Sequence, residues 1–235
     1  KAVKWSLIGI AVAILMLILI VYIGLRASLP TLDAELSSND IKATASLSRD
    51  SLGTAIINAE TEMDAAYLLG YAHAQDRLFQ IDLLRRQSAG ELSEIVGERA
   101  LPVDKKHRFH QFRHRAQDAF EKLTGNEKQV LAHYTKGVNA GAQSLSLKPF
   151  EYMLTGSEFA PWRPVDSLLA SYTMYIDLQL AQTEIDFRLT AVKELFGSTM
   201  YQFFTLPSSY QSAIDGSVIS IVPVQIPGLL PTRKD

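Results

Sequence analysis

The run of apolar residues from Trp5 to Leu25 restricts what this chain can fold into more than any other stretch. It holds about 21 residues that are apolar, Gly, Ser or aromatic, and none of them is charged. As a helix it rises about 30 Å, which matches the hydrocarbon core of a bilayer. A helix also satisfies its backbone hydrogen bonds within the segment, as a lipid environment demands. The sequence therefore predicts a transmembrane helix, with residues 1–25 forming a cytoplasmic tip and a membrane anchor.

The charges that flank this run indicate its orientation. Lys1 and Lys4 precede it and Arg26 follows it, which favours a cytoplasmic N-terminus and an exported main domain. A cleaved signal peptide is the alternative, but its apolar core would span about 7–15 residues, and this run is longer. The sequence therefore favours an uncleaved, single-pass anchor. Residues 26–40, which are polar and broken by Pro30, are predicted to form a tether that lifts the domain off the membrane.

The composition of the chain excludes several classes of function. Its 23 basic and 25 acidic residues give a net charge of −2 and are interspersed, so the sequence shows no basic surface for nucleic acid. The absence of cysteine excludes disulfides, thiol nucleophiles and cysteine-based zinc sites. About 200 residues remain beyond the anchor, which is enough for one good-sized core.

A strong helical pattern lies between Thr61, which is placed to cap a helix, and Gly90, which is placed to end it. The apolar positions at helical spacing on the predicted buried face are Leu68, Ala72, Phe79 and Leu83. Beside this face runs a polar row, formed by His73, Asp76, Arg77 and Gln80. A second set has the spacing of helical ion pairs, Asp82 with Arg85 and Arg86. The polar row is either catalytic or a structural network, and we favour the network because most such rows are structural.

The stretch from Gly70 to Gly97, GYAHAQDRLFQIDLLRRQSAGELSEIVG, resembles the opening helix of the penicillin amidase family of N-terminal-nucleophile hydrolases. Weaker similarity extends from about Leu47 to about Pro207. It includes the turn at Arg49 to Gly53 and the segment FAPWRP, Phe159 to Pro164. The resemblance implies an α+β fold in which this chain is the mostly helical α-subunit part of an αββα sandwich, preceded by one transmembrane helix.

Local patterns predict the elements on either side of this helix. Alternation from Ile41 to Leu47, followed by a turn and the run from Thr54 to Ala59, predicts a β-hairpin. The period of apolar residues predicts one amphipathic helix from Asp104 to Leu123. Thr124 and Glu127 fit a capping box that begins the next helix. Both of these helices are expected to pack on the first.

The region that follows is predicted to hold an irregular link and one long helix. Residues 148–164 contain three prolines and several aromatic residues, which is typical of a link without regular structure. A helical pattern then runs from about Val165 to Phe196, and Gly197 is placed to end it.

Three histidines raise the question of a metal site. His107, His110 and His114 share one helical face, and imidazoles at such spacing can bind zinc or nickel. The surrounding cations repel a metal ion, and no carboxylate is placed to orient the rings. A solvated basic face is therefore favoured over a metal site.

The register of the long helix against the penicillin amidases implies roles for three residues. Glu184 falls at the calcium-binding glutamate of the family, and Met174 falls at a methionine of its acyl pocket, with Leu178 one turn further on. From the residues alone, Glu184 is more typical of a solvated charge, and the other two are more typical of core. Penicillin-G-preferring members have Arg-Phe where this chain has Asp177-Leu178, which leaves room for an aliphatic acyl group.

The expected calcium site depends on a second chain. Glu184 and Asp186 offer hard oxygen donors, but two carboxylates cannot fill a calcium shell of about six to eight oxygens. The resemblance implies that the remaining ligands come from a larger downstream β chain, which forms a heterodimer with this one.

No catalytic residue is assigned to this chain. The nucleophile of the family is a serine at the N-terminus of the second chain, usually followed by Asn, and neither Ser198 nor Ser217 nor Ser38 has that context. The resemblance implies a zymogen that matures into an amidohydrolase of the bacterial inner membrane, with its main domain in the periplasm or outside the cell. Its substrate would be an N-acyl amide, such as a β-lactam or an acyl-homoserine lactone.

Under this interpretation residues 41–210 form the α-subunit-like region, and residues 211–235 are the start of a spacer or a truncated end. The alternative is a membrane-anchored, mostly helical interaction protein without catalytic activity. That alternative predicts no second chain and no metal ion.

Overall fold

A long first helix, one β-hairpin and a series of helices make up residues 2–205, the part of the chain that the computed structural model describes. The expected spacer, residues 211–235, lies outside the described residues. The chain forms two compact units, Lys1–Met174 and Tyr175–Asp235. The elements are α1 Ala2–Ala27, β1 Ser46–Arg49, β2 Ala55–Asn58, α2 Glu62–Ala89, α3 Ser93–Val96, a 3-10 turn Gly97–Ala100, α4 Leu101–Arg108, α5 Phe112–Lys122, α6 Gly125–Ser144, α7 Phe150–Thr155 and α8 Pro164–Thr205.

Helix α1 carries the apolar run that the sequence predicts to cross a membrane. Its large apolar side chains are exposed. Within residues 2–205 it is the one helix long and apolar enough to span a bilayer, and a signal sequence can have the same length and apolarity. The segment that follows α1 lies along the core of the first unit instead of leading away from this core. The side chain of Gln75 donates to the carbonyl oxygen of Thr31 at 3.3 Å, and the ammonium of Lys136 pairs with Asp40 at 2.7 Å.

The predicted hairpin is present but shorter than the sequence pattern indicates. Strands β1 and β2 pair antiparallel, with Ser46 opposite Asn58. Residues 41–45 stay outside the ladder, because the backbone N–H of Lys42 donates to the carboxylate of Asp64 at 2.9 Å. This bond ties the start of the hairpin to the first turn of α2, where the Asp64 side chain is buried.

Helix α2 begins and ends where the sequence predicts. The hydroxyl of Thr61 accepts a hydrogen bond from the backbone of Asp64, and Gly90 ends the helix in the left-handed conformation at φ 69°. The predicted apolar face is buried at Leu68 and Ala72 and half-buried at Phe79 and Leu83, which follow the non-helical backbone of Arg77 at φ −143° and ψ 24°. Beyond this kink the buried face is different: Leu78 is buried, whereas the predicted Phe79 is only half-buried.

The core forms where α2 crosses α6. A Cβ atom built on Gly70 would lie 2.2 Å from the carbonyl oxygen of Tyr134, and one on Gly137 would lie 1.9 Å from that of Tyr67. Two helix backbones can approach this closely only because neither residue carries a side chain. The buried apolar cluster beside the crossing consists of Ala74, Leu78, Val138, Leu145, Tyr152 and Trp162. The capping box of Thr124 and Glu127 that begins α6 is confirmed.

The single helix predicted from Asp104 to Leu123 is wrong, because the chain forms two helices separated at Gln111. Gln111 adopts φ 55°, a left-handed conformation that interrupts helical hydrogen bonding. Tertiary contacts require this break. In α4 the carboxylate of Asp104 accepts from the backbone of Leu92 at 2.9 Å. In α5 the ring of Phe112 packs on Tyr172, with centroids 5.1 Å apart.

The predicted link and long helix also differ in detail from the structure. Helix α7 lies within residues 148–164, which the sequence predicts to be irregular. Gly197 interrupts α8 with φ 84°, as expected of a helix-ending glycine, but helical structure resumes beyond it and continues to Thr205.

Candidate functional site

A buried network of charged side chains joins the second half of α2 to α7. One carboxylate oxygen of Asp82 accepts from Nε of Arg85 at 2.7 Å and from Nε of Arg86 at 3.0 Å. The other accepts from the hydroxyl of Tyr152 at 2.9 Å. Burial, and next the negative charge of Asp82, raise the pKa of Tyr152, so its hydroxyl stays protonated and can donate. The predicted pairing within the helix is therefore confirmed, and it extends to a second element.

The guanidinium of Arg85 extends this network to the FAPWRP segment and to the start of α8. It bonds the carboxylate of Asp166 at 2.8 Å and the carbonyl oxygen of Ala160 at 2.6 Å. It also lies over the ring of Trp162, 4.8 Å from the centroid, which adds a cation–π attraction. The two most recognisable sequence motifs thus meet in the same buried cluster.

Two members of the polar row on α2, His73 and Asp76, bond other segments, as a structural network requires, whereas Arg77 and Gln80 are exposed and bond each other. Asp76 receives two hydrogen bonds of 2.8 Å from the guanidinium of Arg49, which joins the hairpin to the helix. His73 bonds the hydroxyl of Tyr134 on α6 at 2.9 Å. Burial lowers the pKa of His73, with Asp76 opposing the shift, and burial raises the pKa of Tyr134 to about 12. A neutral imidazole and a protonated phenol make a stable contact between helices.

The three histidines considered for a metal do not converge. The ring of His107 is buried against the backbone carbonyl of Gln87, and His110 stacks on Phe112. His114 faces Asp118 at 3.6 Å on the exposed side of α5. Within the described part of the chain, no three His, Cys, Asp or Glu side chains are grouped to hold a metal ion.

The residues that the family register implies lie on α8, and each is exposed. Met174 is 66 % exposed and Leu178 is 71 % exposed. The Glu184 side chain is 69 % exposed and accepts a hydrogen bond from Arg188 at 3.1 Å. An exposed ion pair of this kind is weak, so the carboxylate remains accessible to an ion. One carboxylate at that position cannot by itself fill a calcium shell of about six to eight oxygens.

A cavity of about 410 Å³ lies between α2, the hairpin, α6 and the segment after α1. Its size is within the range of small-molecule sites. Apolar groups make up much of its wall, which includes Leu36, Leu47, Tyr67, Leu68 and Tyr71. Met174 does not line it, so this cavity is separate from the residue implied for the acyl pocket.

Sequence reasoning missed the more distant members of the buried network. Tyr152 lies 70 positions from Asp82 along the chain, and Asp166 lies 81 positions from Arg85. No local pattern signals pairing over such a separation. The available clue was that α2 carries more charged residues on its buried side than a core face ordinarily holds.

Comparisons with known proteins agree with the sequence motifs. The family profile described as penicillin amidase matches residues 44–218. The penicillin acylase 2 proenzyme of a Pseudomonas species, strain SE83, is 39 % identical over 145 residues, which is 62 % of this chain and 19 % of the relative. The acyl-homoserine lactone acylase QuiP of Pseudomonas aeruginosa is 32 % identical over 143 residues, 60 % of this chain and 17 % of the relative.

A solved structure shows the same fold. The thermostable penicillin G acylase from Alcaligenes faecalis superposes with a TM-score of 0.58 at 21 % sequence identity, and the match covers 70 % of this chain and 95 % of that chain. The chain spans about a fifth of the length of the curated relatives it matches. The match to the family profile runs from the hairpin through α8 and past its described end, and the chain therefore belongs to the penicillin amidase family.

Proposed function

We propose that this chain is the N-terminal part of an acylase that hydrolyses a linear N-acyl amide. The observation that carries the proposal is the family match over residues 44–218, together with relatives that are named as acylases. The nucleophile is then a serine at the N-terminus of a downstream chain, released when a precursor is cut. The name proenzyme, given to one relative, agrees with such a precursor.

The chemistry of such a site is nucleophilic acyl transfer. The serine hydroxyl attacks the amide carbonyl, its own α-amine accepts the proton, and an oxyanion hole stabilises the tetrahedral intermediate. The amine product leaves with a proton, and water then hydrolyses the acyl ester. All of these groups belong to the downstream chain, which also supplies the remaining strands of the αββα sandwich. Half-buried His73 bonds a tyrosine and buried His107 a carbonyl oxygen, so both have structural partners within this chain.

The part played by this chain in substrate binding is to present apolar side chains from α8. Met174 and Leu178 are exposed, so both are accessible to an acyl group in a pocket completed by the downstream chain. Leu178 takes the position where penicillin-G-preferring relatives have an aromatic residue, and an aliphatic acyl group is therefore the preferred substrate class. Helix α1 anchors the protein in the bacterial inner membrane, with the main domain in the periplasm.

The first test of this proposal is an activity measurement. The 235-residue chain alone is expected to hydrolyse neither aliphatic nor aromatic N-acyl amides, and activity is expected only when the downstream chain is produced with it. The physical reason is that the nucleophile and its base are both assigned to that second chain. Turnover by the purified 235-residue chain would overturn the division of labour. A gene that ends at Asp235, with no serine-initiated chain after it, would favour the interaction protein instead.

The second test concerns calcium. We expect Glu184→Gln to weaken calcium binding by the assembled protein about tenfold or more, because even indirect changes around a metal cost about 10–100-fold in affinity. The substitution keeps the side-chain volume but removes the charge, so the stability that bound calcium adds to the assembly also falls. Titration calorimetry on the two-chain protein measures the affinity.

The matched control for that measurement is Asp186→Asn on the same helix. The Asp186 side chain accepts from Gln182 at 2.8 Å, and its replacement is expected to leave calcium affinity nearly unchanged. Equal affinities in wild type and Glu184→Gln would show that Glu184 is a surface charge paired with Arg188.

A further inference from the structure

The end of helix α1 is bound directly to the core of the first unit. The backbone N–H of Leu147 donates to the carbonyl oxygen of Ala27, the last residue of α1, at 3.2 Å. That carbonyl has no partner inside its own helix, as is usual for the last turn. The loop between α6 and α7 therefore lies at the point where the chain leaves α1.

The length of α1 determines where Ala27 lies relative to the bilayer. Its 26 residues rise about 39 Å at 1.5 Å per residue, whereas the hydrocarbon core of a bilayer is about 30 Å thick. Tyr22 accepts a hydrogen bond from Nε of Arg26 at 3.3 Å, a combination typical of the membrane–water interface. Ala27 lies about 7.5 Å beyond Tyr22 along the helix. This places Ala27, and Leu147 with it, at the level of the lipid headgroups.

Helix α7 begins three residues after Leu147 and has one polar anchor and one apolar face. Its Tyr152 points inward and bonds Asp82. Phe150, Met153 and Leu154 stand at helical spacing on the outward side, and Met153 and Leu154 are 58 % and 77 % exposed. Three residues span at most about 10 Å, so this face starts close to the headgroup level. Leu147, Phe150, Met153 and Leu154 together form what we call the α7 patch.

We propose that the α7 patch inserts into the headgroup layer of the membrane that α1 crosses, as a second, interfacial attachment of the protein. The proposal rests on α1 being a retained anchor. Short amphipathic segments attach to bilayers through apolar side chains, helped by nearby cations and anionic lipid. Lys148 is exposed beside Leu147 and supplies such a cation. The attachment fixes the orientation of the first unit relative to the membrane, whereas a single helix followed by a free tether leaves it variable.

A second protein chain is the competing occupant of the same face. The hydrogen bond between Leu147 and Ala27 favours lipid, because it ties the loop before α7 to the end of the membrane helix. Burial in a protein interface would shield the patch from lipid and from water alike, and this difference can be measured.

The experiment uses nitroxide labels on the complete protein, reconstituted in vesicles of phosphatidylethanolamine and phosphatidylglycerol. These 235 residues contain no cysteine, so one introduced cysteine gives one label in this chain, and any cysteine of the downstream chain is first replaced by serine. The labelled variants are Leu154→Cys in the patch, Leu15→Cys in α1 and Phe109→Cys at the end of α4. Each native side chain is well exposed, so a label is tolerated at all three positions. Relaxation by oxygen reports lipid, and relaxation by a water-soluble nickel chelate reports water.

Phe109 is a suitable aqueous control. Its side chain is 85 % exposed, and it lies at the end of α4, an element that contains no residue of α1 or of the α7 patch. The expected ratio of oxygen to nickel relaxation is highest at Leu15, intermediate at Leu154 and lowest at Phe109.

Three other outcomes would overturn the proposal, and the relaxation data distinguish them. If the ratio of oxygen to nickel relaxation at Leu154 equals that at Phe109 while Leu15 reports lipid, α1 is a membrane anchor but the α7 patch does not contact the membrane. Shielding of Leu154 from both reagents shows that a protein chain covers it. An aqueous signal at Leu15 shows that α1 is no anchor, and the α7 patch proposal then fails together with the anchor on which it rests.

Discussion

Replacing Asp82 with alanine is expected to lower the free energy of unfolding by about 3–5 kcal/mol, the usual cost of removing one partner from a buried ion pair. The Asp82 side chain is fully buried and accepts hydrogen bonds from Arg85, Arg86 and Tyr152. Its loss leaves two desolvated guanidinium groups with fewer partners and a buried hydroxyl without an acceptor. Urea unfolding followed by fluorescence measures the effect, since Trp162 lies against Arg85. A Trp5→Phe background removes the signal of α1.

Two further variants make that measurement specific. Asp118→Ala removes an exposed carboxylate that lies 3.6 Å from His114, and such surface changes are expected to stay within about 0.5 kcal/mol. Tyr152→Phe removes only the hydroxyl at the edge of the network, at an expected cost of about 1 kcal/mol. An Asp82→Ala variant no less stable than Asp118→Ala would mean that water or rearranged side chains compensate the two arginines, contrary to the structure.

The second large effect is expected at the crossing of α2 and α6. Gly137→Ala should lower the free energy of unfolding by about 3 kcal/mol, at the upper end of the range for overpacking. The added Cβ would meet the backbone carbonyl oxygen of Tyr67 at 1.9 Å, and a backbone carbonyl cannot rotate away as a side chain can. The two helices must therefore separate, although alanine by itself favours a helix by about 1 kcal/mol over glycine.

The same helix provides the control for this substitution. Gly125 begins α6, and a Cβ atom added there would have no neighbouring atom within 4 Å. Gly125→Ala should therefore be neutral or slightly stabilising in the same urea assay. If both alanine variants unfold at the same urea concentration, the close crossing of α2 and α6 is not required for stability.

Several features of the fold could be predicted because their causes lie within a few residues. The side chains of Thr61 and Thr124 accept from backbone N–H groups three positions ahead, and such caps are legible in the sequence. The length and apolarity of Trp5 to Leu25 likewise define α1 without reference to the rest of the chain. Pairing of Asp82 with Arg85 and Arg86 follows from helical spacing alone.

Other features depended on contacts between distant segments. The break at Gln111 arises because α4 is held through Asp104 and α5 through Phe112, on different parts of the core. Strand β1 begins late because Asp64 binds the backbone of Lys42 from 22 positions away. Neither contact leaves a periodic trace in the sequence, since periodicity records only which face of a single element is buried.

The features of the candidate site also fall into two groups, those set by local sequence and those set by contacts between distant segments. Family membership was readable from the stretch Gly70 to Gly97, because that run resembles the family's pattern at nearly every position without a gap, and the family profile matches residues 44–218. The sequence by itself determined the anchor-like helix, the caps and the ion pairs within α2. Only the tertiary structure decided that Asp82 reaches Tyr152 across 70 positions, that Gly137 touches the backbone of α2, and that Phe150, Met153 and Leu154 face outward near the end of α1. Local patterns express the geometry of one element, whereas these contacts exist only after several elements have packed together.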